Sequence, residues 1–189
     1  MIKNKKQNFF DCQQGVHSKT MKQIFILVFA VITTTTAFSQ DEFTLVKDGE
    51  KAPDFTYEAS PGKTAKLSDL KGKVVWINFF ATWCGPCLKE LPHLEKEVFE
   101  KYKDNNNFKL LVIGREHTWE EVAGFKTEKD INLPFYPDPG RKIFSKFARQ
   151  NIPRNFIIDK NGNIAIASVG FTEKEFEELN AKLEELLLK

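Results

Sequence analysis

The chain has 189 residues, enough for one domain with a hydrophobic core. Hydrophobic residues make up 41% and charged residues 29%, the balance of a soluble globular protein rather than a disordered or fibrous one. The net charge of +2 comes with no basic stripe and no aromatic-interleaved basic patch, which argues against a nucleic-acid partner.

The first forty residues differ from the rest. Ile24 to Ile32 is an unbroken apolar run of nine, preceded by Lys22 and followed by Thr33 to Thr36. The small-x-small triplet Ala37-Phe38-Ser39 then leads into Gln40 and Asp41. This is the layout of a secretory signal peptide; the run is well short of the ~20 residues of a membrane span, and a buried core helix is the alternative. The expected organisation is a signal peptide over 1–39, with Met21 as a possible true start, and one domain over 40–189. The expected location is extracytoplasmic, in the periplasm. Cleavage after Ser39 leaves 189 − 39 = 150 residues, removes Cys12 and keeps two cysteines, Cys84 and Cys87. A pair so close in sequence closes a minimal loop and adds little to stability, so it reads as chemical rather than structural.

From Glu42 to Lys73 the chain is turn-rich, and short strands with one helical turn are expected there. Val74 to Phe80 (VVWINFF) suits a central strand buried on both faces. A helix is expected from Cys84, with Pro86 in its first turn and an apolar face of Leu88, Leu91, Leu94, Val98 and Tyr102. Pro92 should kink it, and Asp104 to Asn107 should end it. Next come a strand over Lys109–Gly114, a helix over Thr118–Ile131 capped by Thr118, a short strand over Leu133–Tyr136 and a helix over Arg141–Gln150. Strands at Phe156–Asp159 and Ile164–Val169 flank an Asn161-Gly162 hairpin turn. A last helix runs from about Thr172 to Lys189, its stripe being Phe176, Leu179, Leu183 and Leu186, with a capping-box pattern at Thr172 and Glu175. The fold class is α/β, a central mixed sheet with helices on both faces.

A Cys-x-x-Cys where a buried strand meets a helix has a specific meaning. The thiolate is the nucleophile of disulfide exchange. Free N–H groups and the positive end of the macrodipole stabilise a negative sulfur at a helix start. Cys84 is expected to be the exposed attacking thiol, and Cys87, one turn further in, to resolve the mixed disulfide. Zinc would need two more ligands. After residue 40 the histidines are His93 and His117, widely separated and read as surface or helix-packing residues, so no metal and no cofactor are expected.

Trp83-Cys84-Gly85-Pro86-Cys87 resembles the active-site pentapeptide of the thioredoxin superfamily, and Val75 to Thr82 fits the strand before it. Four further segments resemble the TlpA/ResA-like branch of exported thiol–disulfide oxidoreductases: Ala52-Pro53-Asp54-Phe55, Leu67 to Lys73, Cys87 to Pro92, and Ile152 to Asp159 with Asn161-Gly162. The resemblance spans roughly Lys51 to Val169 and implies the thioredoxin-like fold. It implies that Pro153 is a cis proline facing the disulfide and that Ile152 borders the substrate groove. Glu90 matches an acidic residue that influences the cysteine pKa values, with a solvated helix-face Glu as the alternative. Trp83 matches a tryptophan that shields the site, with packing alone as the alternative.

Two departures stand out. Asn78 occupies the place of a buried Asp in thioredoxin and cannot shuttle a proton. Arg154 follows the proline where Thr is frequent, and is expected either to favour acidic partners at the groove or to point to solvent. The implied function is reduction of disulfides in other exported proteins, with a membrane thiol–disulfide electron donor re-reducing the pair. A peroxiredoxin-like peroxidase shares two of the segments, but Ala81 stands where the peroxidatic site has Thr. A copper-handling dithiol chaperone is the non-enzyme alternative.

Overall fold

The structure is a computed structural model that describes residues 41–189. The expected signal peptide and Cys12 lie outside the described residues. Seven strands are present: β1 (Thr56–Ser60), β2 (Lys63–Lys66), β3 (Val74–Phe80), β4 (Phe108–Arg115), β5 (Phe135–Asp138), β6 (Arg154–Ile158) and β7 (Ile164–Val169). β1 and β2 form a separate antiparallel pair, followed by a 3₁₀ turn at Leu67–Leu70. The other five form one mixed sheet in the order β5-β4-β3-β6-β7. β3, β4 and β5 run parallel, whereas β6 and β7 are antiparallel to their neighbours.

All seven residues of β3 are buried, as a central strand covered on both faces requires. Period-two alternation divides them. Val74, Trp76 and Phe80 pack with Leu91, Leu94, Val98, Phe176 and Leu179, whereas Val75, Ile77 and Phe79 pack with Phe55, Tyr57, Phe144 and Phe147. Phenylalanines serve both layers; in the second, Phe79 meets the rings of Phe144, Phe147 and Phe156 at 5.3, 5.6 and 6.0 Å.

The helix after Cys84 is continuous from Gly85 to Tyr102 but not uniform. It is α over Gly85–His93 (α1), π-type over Leu94–Phe99, and α again over Glu100–Tyr102. The change follows Pro92, whose missing N–H and bulky ring break the i→i−4 ladder. The helix answers with wider turns, as in the Glu100 N–H donated to the Glu95 carbonyl. Thr118 caps α2 (Trp119–Lys129) through a capping box with Glu121, as its sequence implies.

The helix expected over Arg141–Gln150 is only one turn, α3 (Phe144–Phe147). Arg141 has a φ of 56°, so the turn after Pro139-Gly140 persists, and the Asp138 carboxylate accepts the Ile143 and Phe144 amides at its start. At the other end Ala148 is extended and pairs with Thr44. Thr172 caps α4 (Glu173–Leu188), whose Phe176, Leu179 and Leu183 are buried. The Thr172 hydroxyl accepts the Glu175 amide and donates to the Glu175 carboxylate, so only the hydroxyl half of the expected capping box is made. Gly162, at φ +84°, turns the β6–β7 hairpin, and the Asp159 carboxylate accepts the Asn161 and Asn163 amides. Among the described residues no helix is long and apolar enough to cross a membrane.

Candidate active site

β3 ends at Phe80, and the chain turns through Ala81-Thr82-Trp83, closed by the Cys84 N–H donated to the Ala81 carbonyl at 3.1 Å. Cys84 is then the N-cap of α1, with an extended backbone (φ −88°, ψ 105°). Its Sγ accepts the Cys87 amide at 3.3 Å, satisfying one of the orphan donors of the helix start. Pro86 lies in that first turn, where no N–H is needed. The two cysteines are joined as a disulfide, their Cα atoms 5.3 Å apart. Cys84 is not freely exposed as expected: it retains 6% of its surface, because Ile152 and the turn wall it in, while Cys87 retains 0%. The order of accessibility is nonetheless the expected one.

The opposite wall is the turn before β6. The Ile152–Pro153 peptide bond is cis. The Ile152 carbonyl oxygen lies 3.7 Å from the Cys84 sulfur, so Ile152 and Pro153 border the pair. Trp83 stands beside it, 64% exposed, with the Arg115 guanidinium 5.4 Å from its ring; core packing does not explain such a residue.

Arg154 corrects the sequence reading. It neither lines a groove nor points to solvent, and is 1% exposed. Its Nη2 donates to both carboxylate oxygens of Asp41 at 2.9 and 2.7 Å, its Nη1 to the Thr44 hydroxyl at 2.6 Å, and its Nε to the Gln150 and Asn151 carbonyls. The guanidinium therefore ties the turn that carries Pro153 to the segment at 41–45. The Asp41 carboxyl is subject to burial, which would raise its pKa. Hydrogen bonds from Thr44 and Arg154, together with the guanidinium charge, outweigh that and hold it below the usual range.

Glu90 is equally unlike a solvated helix face, being 1% exposed. Its Oε2 accepts from Asn78 Nδ2 at 2.8 Å and its Oε1 from Asn155 Nδ2 at 2.6 Å. The Asn155 Oδ1 accepts in turn from Asn78 Nδ2 and from Trp76 Nε1, at 2.9 and 2.8 Å. Burial pushes the Glu90 carboxyl up to about 7; the two amides and the nearby His93 oppose the shift without cancelling it. Glu90 lies three residues beyond Cys87 on the same helix, one turn further in.

Sequence reasoning missed three residues. Asn155 sits directly across from Asn78 in the β3–β6 register. A polar residue inside each of two apolar strands was the available signal. Trp76 shares that cluster but reads as core by its neighbours. His117, expected as a surface or helix-packing residue, is buried, and its Nε2 accepts the Thr82 amide at 2.9 Å. His93 is half-buried and contacts Glu97 on its own helix. No group of three potential metal ligands occurs among the described residues.

The Redoxin family profile matches residues 47–183. A thiol-disulfide oxidoreductase ResA of Bacillus anthracis is 35% identical over 127 residues, covering 67% of this chain and 72% of its own length. Among solved structures, a proposed protein disulfide isomerase from Bacteroides thetaiotaomicron superposes with a TM-score of 0.73 at 40% identity, over 78% of this chain and 94% of its own. A thioredoxin-family thiol:disulfide interchange protein from Chlorobium tepidum TLS gives 0.60 at 26% identity, over 73% and 96%. The fold is accordingly thioredoxin-like, and the chain belongs to the Redoxin family as a ResA/TlpA-like thiol–disulfide oxidoreductase.

Proposed function

We propose that this oxidoreductase is exported and reduces disulfides in other extracytoplasmic proteins, with Cys84 attacking and Cys87 resolving. The observation that carries the reading is Cys84 at the helix N-cap, its sulfur already accepting the Cys87 amide. A thiolate in that place keeps this hydrogen bond and gains from the helix dipole. The Cys84 thiolate attacks one sulfur of a substrate disulfide, and the other leaves as a thiolate and takes up a proton. Cys87 gives its proton to the Glu90 carboxylate or to water and attacks the Cys84 sulfur, releasing the second substrate thiolate, which takes up a proton in turn. The substrate has gained two electrons and two protons, and the pair is left as the disulfide. A membrane thiol–disulfide electron donor then re-reduces it. Trp83, Ile152 and Pro153 form the surface against which the substrate segment lies, whereas Arg154 acts behind it. The signal-peptide pattern over 1–39 supports cleavage near Gln40 and a periplasmic location.

Trapping tests the reading. Cys87→Ser accumulates mixed disulfides with client proteins and Cys84→Ser does not; the reverse pattern exchanges the two roles. The wild type reduces insulin and does not consume peroxide at a comparable rate. N-terminal sequencing of protein from an extracytoplasmic fraction finds a start near Gln40, and an intact Met1 or Met21 there refutes cleavage.

A further inference from the structure

His117 reaches the active-site turn from a neighbouring strand end. After β4 the chain reverses at Glu116, which has a φ of 67°, with the His117 N–H donated to the Gly114 carbonyl at 3.1 Å. The reversal folds the imidazole back over Gly114. A Cβ at Gly114 would lie 3.1 Å from His117 Cβ and 2.8 Å from Val122 Cγ1, so the glycine makes the room the ring occupies. The ring meets Phe80 edge-on, with centroids 6.1 Å apart, and its Nε2 takes the Thr82 amide proton at 2.9 Å. Thr82 is the second residue of the Ala81–Cys84 turn, so the bond pins the turn two residues before the attacking sulfur.

An acceptor at Nε2 defines the ring's state. The nitrogen must carry a lone pair, so the imidazole is neutral with its proton on Nδ1. The Nδ1 side faces the Glu121 carboxylate at 3.9 Å, and that carboxylate is itself fixed by the Thr118 amide at 2.7 Å. Of the charged groups near the ring, Glu121 comes from α2. Arg115 and Glu116 come from its own turn and are paired with each other at 3.2 Å. From β3 and its continuation the ring meets Phe80 and Thr82, neither of them ionisable.

We propose that His117 is a positioning residue for disulfide exchange, holding the Cys84 turn through the Thr82 amide only while the imidazole is neutral. Protonation puts an N–H on Nε2, facing the Thr82 N–H donor against donor. The turn then loses its anchor, and exchange slows on the acid side beyond what thiol titration alone produces. The proposal rests on Cys84 being the attacking thiol, but the anchoring bond itself can be read without any chemistry.

The test compares wild type with three variants. His117→Gln places an amide oxygen near the Nε2 position and cannot titrate, His117→Asn places it about one bond too short, and His117→Leu offers none. In the oxidised protein, amide hydrogen exchange at Thr82 relative to its intrinsic rate reports the bond. Protection is expected in wild type and His117→Gln, with a loss of about tenfold or more in His117→Leu and in acidified wild type. In the reduced proteins, Cys84 alkylation and insulin reduction against pH should place His117→Gln near wild type at neutral pH without the extra acid decline. His117→Asn and His117→Leu should be slow throughout. Equal Thr82 protection in wild type and His117→Leu, or a Gln variant no better than Leu, overturns the proposal. If Cys84→Ser still reduces insulin, the assignment of the attacking thiol fails instead, and the Thr82 readout still judges the histidine.

Discussion

Two carboxylates anchor the elements that carry the cysteine pair and its facing proline, and the protein treats them in opposite ways. Asp41 meets a buried guanidinium, and its pKa is held down. Glu90 is hydrogen-bonded by two side-chain amides, and burial lifts it to about 7. Amides supply hydrogen bonds but no net charge, so they cannot offset the cost of moving an ion out of water. The comparison teaches that depth and partner charge act together: Asp41 keeps 22% of its side-chain surface and pairs with a guanidinium, whereas Glu90 is 1% exposed and is hydrogen-bonded by amides.

The largest effect expected is from breaking the clamp. Arg154→Met strips the buried cation from Asp41, Thr44 and the Gln150–Asn151 carbonyls, and should cost about 4 kcal/mol. Urea unfolding should show a lower midpoint with an unchanged slope, and a wild-type midpoint would mean that the clamp contributes nothing.

Next in size is the opposite pH response of the two sites. The folded Glu90 holds its proton up to about 7, against 4.5 for an ordinary Glu, so its favourable contribution is complete below pH 4.5 and is lost as pH rises towards and past 7. Glu90→Gln should remove that decline, gaining roughly 3 kcal/mol on wild type between pH 4.5 and 8. The Asp41 contribution is complete at neutral pH, present above its ordinary value of 3.8, and lost as pH falls through its lower folded value. Stability curves measured from pH 3 to 9 should therefore show Glu90→Gln diverging from wild type as pH rises past 4.5, and Asp41→Asn, less stable at neutral pH, converging on wild type in acid. Parallel curves would remove the distinction.

A smaller effect is expected at the edge of the Glu90 cluster. Trp76→Phe keeps most of the ring but removes the donor to Asn155, and should cost about 1 kcal/mol, read from the thermal midpoint. Least of all is Glu184→Gln, which opens the 2.6 Å contact with Lys101 on the surface. Both side chains there are about half exposed, and no change in the unfolding midpoint is expected.

Periodicity and the Cys-Gly-Pro-Cys pattern made β3, α1 and the sulfur pair legible before any coordinates, because each is written in neighbouring residues. The resemblance added the proline, which the structure has in cis. What stayed hidden was long-range. Arg154 meets Asp41 across 113 positions, and Asp41 lies in a stretch with no periodic signal. Glu90 meets Asn155 across 65 positions and His117 meets Thr82 across 35. A glutamate between Lys89 and Leu91 reads as surface until a strand register places two asparagines above it.

The raised Glu90 carboxyl reaches into the energetics of electron transfer. A dithiol couple that takes up two electrons and two protons shifts by about 59 mV per pH unit. In the reduced state the Cys84 thiolate lies at the start of the same helix, six residues before Glu90, and like charge lifts the carboxyl further than in the oxidised state. Between the two values each reduction draws an additional proton into the protein. Above neutrality the midpoint potential of the wild type should therefore fall more steeply with pH than that of Glu90→Gln, so that the surrounding acidity sets how readily this protein gives its electrons away.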